Sequence, residues 1–200
     1  VPTGFAPLLA KALARLQDRV PGLAVEVISG STPTDLLAGE ADLAVRTGPP
    51  GQDDLLMRRV AEAGWSLYAS PAYLADAPAW PGDPAGHRVI GFHADLAGSA
   101  AAHWLTAHLG EARVVLRLSA MTEMLATARE GVGLALLPCV LGDAEPGLNR
   151  LAPGVVVRQP VALVCRKDVA GTPEGRAVIG VLSRALKAAR PALSGGEAHG

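Results

Sequence analysis

GEADLAVRTG, residues 39–48, is the stretch on which the reading of the fold turns. Its apolar run Leu43–Ala44–Val45 has the continuous character of a strand covered on both faces. Asp42 precedes the run, Arg46 ends it, and Thr47–Gly48 stop it. A strand that reads as buried therefore finishes on a fixed positive charge, and the surrounding sequence has to say why.

Upstream, Leu8, Leu9, Ala12, Leu13, Leu16 and Val20 form an apolar stripe at helical spacing, closed by Pro21–Gly22. LAVEVIS (23–29) is rich in β-branched residues and reads as a strand. Ser31–Thr32–Pro33–Thr34 reads as a helix start, with the helix running to Ala38 and Gly39 closing it. Helix, strand, helix and strand in the first 46 residues form a βαβ-type alternation, which argues for a parallel sheet.

Downstream, WSLYAS (65–70), RVIGF (88–92), ARVVLRLS (112–119), VGLALLP (132–138) and PVALVCR (160–166) read as strands. Residues 72–87 read as a short helix and a Pro/Gly-rich loop that carries His87, and residues 139–159 as irregular. Helices are expected from Ser99 to Leu109, from Met121 to Ala128, and from Thr172 to Ala189, with residues 191–200 as a frayed tail.

Composition narrows the function classes. Nineteen acidic residues against 18 basic ones give a net charge of −1, a poor footprint for a nucleic-acid-binding surface. Half of the 200 residues are hydrophobic but only 4% are aromatic, so the core is built from Ala, Val and Leu. No apolar run reaches the roughly 20 residues of a membrane span, and no secretory leader opens the chain. Cys139 and Cys165 belong to no C-x-x-C pattern and fit buried thiols in a cytoplasmic protein better than a disulfide scaffold. His103 and His108 sit about 140° apart around a helix, which argues against a zinc site. There is no G-x-S-x-G elbow, phosphate-binding loop or H-E-x-x-H, so neither catalysis nor a cofactor is expected. Gly131–Val132–Gly133 follows a helix and precedes a strand, the reverse of a dinucleotide fingerprint.

The segments FAPLLAKALARLQDRVPGLAVEV, DLLAGEADLAVR, YASPAYLA, SAMTEMLATAREGVGLALLP and PVALVCRKD…GRAVIGVLSRAL, in that order, resemble the effector-binding domain of LysR-type transcriptional regulators. The resemblance implies an α/β fold of two Rossmann-like subdomains, like type 2 periplasmic binding proteins, with two crossover strands. Subdomain I would be 1–68 plus 162–190, subdomain II 69–161, with WSLYAS and PVALVCR as the crossovers. It implies a homodimer packed through helices 6–20 and 122–130. DNA would be reached only through a winged helix-turn-helix that this chain lacks, along with most of the family's first strand. A solute-binding protein of a transport system is the alternative on the same fold.

In that setting Arg46 stands at the carboxyl end of a strand, where open α/β sheets bind ligands, and its guanidinium can grip a carboxylate. Helix starts at Thr3–Phe5, Ser31–Thr32 and Ser119–Met121–Thr122 would offer backbone N–H groups and hydroxyls to a small anionic or polar metabolite. Phe92 and His93, ending RVIGF, would line the other side; no metal is expected there. The same hydroxyls also serve as ordinary helix caps.

Overall fold

The computed structural model describes residues 1–16, 18–30, 34–48, 54–152 and 154–196. The chain divides into two compact units, Val1–Glu62 with Gln159–Pro191, and Ala63–Arg158 with the chain from Ala192 on.

The first unit holds α1 (Ala6–Ala14), β1 (Leu43–Thr47), the start of β2 (Leu56–Ala69), most of β7 (Val157–Cys165), α6 (Lys167–Gly171) and α7 (Pro173–Ala188). β1 lies antiparallel to β7, with Val45 opposite Leu163 and Arg46 opposite Ala162. Leu36, Ala44, Leu55, Ala162 and Val164 form one apolar cluster. α7 starts where Thr172 accepts the N–H of Gly175 at 2.9 Å and Pro173 takes the first turn. It buries Val181, Leu182 and Leu186 and packs against α1.

The second unit holds the rest of β2, α2 (Pro71–Asp76), β3 (Arg88–Phe92), α3 (Ala100–Leu109), β4 (Arg113–Leu118), α4 (Met121–Arg129), β5 (Leu134–Pro138), α5 (Cys139–Gly142) and β6 (Asn149–Arg150). β3 runs parallel to β4 and β5, while β2 is antiparallel to β5 and β6. All five residues of β5 are buried, as its unbroken apolar run requires of a strand covered on both faces. Ser70 starts α2 by accepting the N–H of Tyr73 at 3.2 Å. α3 and α4 press Ala101, Leu105, Leu109, Met121, Met124 and Ala128 into the same core.

Several expectations need correction. LAVEVIS forms no ladder: residues 23–29 are extended, with Val25, Val27 and Ile28 exposed at 38, 41 and 52%. Strand propensity is realised only through a neighbour's hydrogen bonds. The segment's end meets the N-terminus, where the Val1 ammonium donates to the Ile28 carbonyl at 2.6 Å and Pro2 bridges Gly30. The expected parallel pair with DLAVR is therefore absent among the described residues, and β1 pairs antiparallel with β7 instead. α1 ends at Ala14, not Val20, because three-residue turns (Leu16 N–H to Leu13 O, Arg19 N–H to Leu16 O) replace the helical pattern. Residues 34–38 hold a turn, not a helix, and Ser31–Pro33 lie outside the described residues.

β2 begins at Leu56, well before WSLYAS, and its first four residues are exposed, so no apolar run announces it. Residues 139–159 contain α5 and β6. The chain's end is not frayed over its first part: α8 (Arg190–Ser194) buries Leu193. His87 does not sit in an open loop, being 1% exposed at the start of β3.

Candidate functional site

In the first unit the geometry centres on Arg46. Gly48, at φ 104°, turns the chain just past the end of β1. Arg46 Nη2 donates to the Thr34 carbonyl at 2.8 Å. Its Nε is buried and has no partner, and no carboxylate among the described residues forms an ion pair with it. A buried guanidinium donor without an acceptor is costly. Thr34 follows directly on Ser31–Pro33, so the backbone that Arg46 holds leads from Ser31 and Thr32, which themselves lie outside the described residues.

Thr3 stands in a turn with Gly4 at φ 90°, and Phe5 is buried at the start of α1. Neither caps the helix: its N-cap position makes no side-chain bond. A groove of about 580 Å³ opens in the same unit beside residues 23–28 and β1, over Leu9, Leu13 and Leu182. Its lining carries Glu26, Glu40, Asp42, Asp168 and Glu174, with the Val1 ammonium and no lysine or arginine, so its potential is mainly negative.

In the second unit the carboxyl ends of the parallel strands bring other predicted residues together. The N–H of His93 donates to the Leu118 carbonyl at 2.9 Å, which joins the ends of β3 and β4. Phe92 and Met121 are buried in one cluster. Ser119 is exposed and does not cap α4. Ala120 occupies the N-cap position and no side chain bonds the first turn, so its N–H groups are left to solvent or ligand. Thr122 is exposed in that turn. His93 turns away to a local pairing, with Nδ1 3.1 Å from the Asp95 carboxylate.

Sequence reasoning missed Trp65. Its ring meets Phe92 edge-on at 6.3 Å, and its indole Nε1 is buried with no partner. A tryptophan at the start of a buried strand was the available signal, since its N–H needs an acceptor once covered.

Other polar groups pair within the protein, while the buried His87 Nε2 has no partner. Tyr73 OH lies 3.1 Å from His87 Nδ1 and accepts the N–H of Arg88 at 3.0 Å. His108 stacks on Trp104 at 4.4 Å, and no metal-binding cluster exists among the described residues. Tyr68 OH donates to Asp143 at 2.7 Å, and Arg150 forms an ion pair with the same carboxylate. Burial pushes the Cys139 and Cys165 thiols above their ordinary range, so neither has the thiolate character of a reactive cysteine.

No helix among the described residues is long and apolar enough to cross a membrane. The regulatory domain of CrgA, a LysR-type transcriptional regulator from Neisseria meningitidis, superposes with a TM-score of 0.77 at 22% identity, covering 92% of this chain and 95% of that one. The effector domain of the transcriptional regulator AmpR of Pseudomonas aeruginosa does so with a TM-score of 0.73 at 22% identity, covering 94% and 93%. At that identity the likeness speaks for the fold alone, which is the α/β, periplasmic-binding-protein-like fold of type 2. A curated relative, an HTH-type transcriptional regulator of Xanthomonas campestris pv. campestris, is 32% identical over 95 residues, 48% of this chain, which spans 25% of that protein. The family model described as LysR substrate binding domain matches residues 1–187. The chain therefore belongs to the LysR substrate-binding-domain family.

Proposed function

We propose that this domain senses a small anionic or polar metabolite and that Arg46 grips its carboxylate. The observation that carries the reading is the buried, unpartnered Nε of Arg46 at the end of β1. The uncapped first turn of α4 and the unpartnered indole N–H of Trp65 supply further donors of the kind an anion or a polar ligand takes up. Thr3, Phe5, Ser31 and Thr32 of the first unit, and Phe92, His93, Ser119, Met121 and Thr122 of the second, are the further residues for which a ligand contact is proposed.

The proposed response is a population shift: the metabolite binds one arrangement of the protein better and moves the equilibrium by that difference in affinity. Two copies associate as a homodimer through segments 6–20 and 122–130, which carry α1 and α4. The exposed Val114 and Leu116 on β4, beside α4, add apolar surface to that side. The longer protein binds DNA through a domain outside this chain and works in the cytoplasm without a cofactor.

A thermal-shift screen of small carboxylates, amino acids and aromatic acids tests the reading. A ligand at about 100 times its dissociation constant adds about 2.7 kcal/mol of stability. A carboxylate that stabilises the protein and loses that effect in Arg46→Met supports the assignment. A validated ligand bound equally well by both proteins overturns the role of Arg46.

A further inference from the structure

The end of the chain docks with a specificity that a frayed terminus lacks. On the first unit, Arg190 Nε donates to the Val60 carbonyl at 2.9 Å. On the second unit, Leu193 is wholly buried. The Ser194 carbonyl lies where a Cβ on Gly64 would come within 2.5 Å of it, so only glycine lets the segment seat there. Gly195 adopts φ 66°, and a Cβ on it would lie 2.6 Å from Cys139 Sγ and 2.9 Å from Val155. Its carbonyl accepts Nη1 of Arg150 at 3.2 Å, and Arg150 is itself fixed by Asp143.

These fits are independent of one another: a buried leucine, two positions with room for glycine alone, and a guanidinium clamp. Val60 and Gly64 flank the point, between Glu62 and Ala63, at which β2 passes from the first unit to the second. The segment is thus fastened at residues on either side of that point. It also forms a third covalent passage between the units, at Pro191–Ala192, after those in β2 and β7.

We propose that Arg190–Gly195 is a strap docked on β2 and Cys139, and that this docking protects residues 60–66 and covers the Cys139 thiol. The docking stands on the contacts alone.

The test compares the full chain with one ending at Pro191 and with Gly195→Ala, which keeps every other residue but forces a Cβ against Cys139. Hydrogen exchange reads the amides of residues 60–66, and maleimide labelling reads Cys139, with the buried Cys165 of the first unit as internal control. Both variants are expected to label Cys139 about tenfold faster and to exchange residues 60–66 faster, with β3 and α7 as protected as before. Unchanged labelling and exchange overturn the strap. So does a loss of protection that spreads to β3, which would make the segment part of the second unit's core. Neither readout uses an effector, so failure here is separate from failure of the ligand assignment.

Discussion

Arg46 donates through Nη2 to the carbonyl of Thr34 at 2.8 Å while its Nε stays buried and without a partner. One end of the guanidinium therefore ties β1 to the turn before it, while Nε is left without an acceptor. Arg46→Met is expected to change stability by no more than about 1 kcal/mol, because one hydrogen bond is lost as one buried unsatisfied donor is removed. Affinity for a carboxylate ligand is expected to fall at least about tenfold, in line with the loss of a charge-assisted bond. Urea unfolding and calorimetric titration measure the two effects separately.

Trp65→Phe keeps an aromatic ring against Phe92 and deletes the orphaned indole N–H. Without ligand the variant is expected to be as stable as the parent or more stable by about 1 kcal/mol, since a buried donor without an acceptor is a cost. A clear loss of stability in urea would show that the indole N–H is satisfied in solution.

Tyr73→Phe removes the hydroxyl that both reaches His87 Nδ1 and accepts the Arg88 N–H. A buried ring nitrogen and a part-buried N–H lose their partner at once. The expected cost is about 2–4 kcal/mol, well above that of a lone exposed hydroxyl. Chemical denaturation reads it directly, and a change under 1 kcal/mol would mean that water replaces the hydroxyl.

Gly142 faces the ring of Tyr68 so closely that an added Cβ would overlap it. Gly142→Ala is expected to destabilise by about 1–3 kcal/mol through overpacking. Gly98→Ala, where nothing lies within 4 Å, is expected to be neutral to within about 0.5 kcal/mol. Equal thermal shifts for the pair would contradict the packing described for α5 against β2.

Stability is expected to decline in alkali. Burial raises the Cys139, Cys165 and Tyr68 side chains above their ordinary values of 9.0, 9.0 and 10.0. The folded state then holds these protons more tightly than the unfolded chain, so their contribution is complete below about pH 8 and is lost as pH rises past the unfolded values. Melting temperatures from pH 7 to 10.5 should fall, and Cys139→Ala should flatten the slope. An equal slope in the variant would remove Cys139 from the account.

The sequence by itself determined the elements whose signals are local. RVIGF, VGLALLP and PVALVCR are unbroken apolar runs and hold strands β3, β5 and β7. Ser99 and Thr172 announce helix starts, and each accepts a backbone N–H there. The order of the quoted motifs was enough to point to the family, and Arg46 at the end of DLAVR was visible as a charge without a stated partner. Only tertiary structure decided the rest, because it depends on groups far apart in the chain. LAVEVIS stays unladdered because strand propensity needs a neighbour along its whole length. β2 is long because pairing, not hydrophobicity, carries its exposed start. His87 is covered because Tyr73 and Trp80 close over it. The terminal residues dock because glycines at 64 and 195, remote in sequence, leave the space that local reading cannot see.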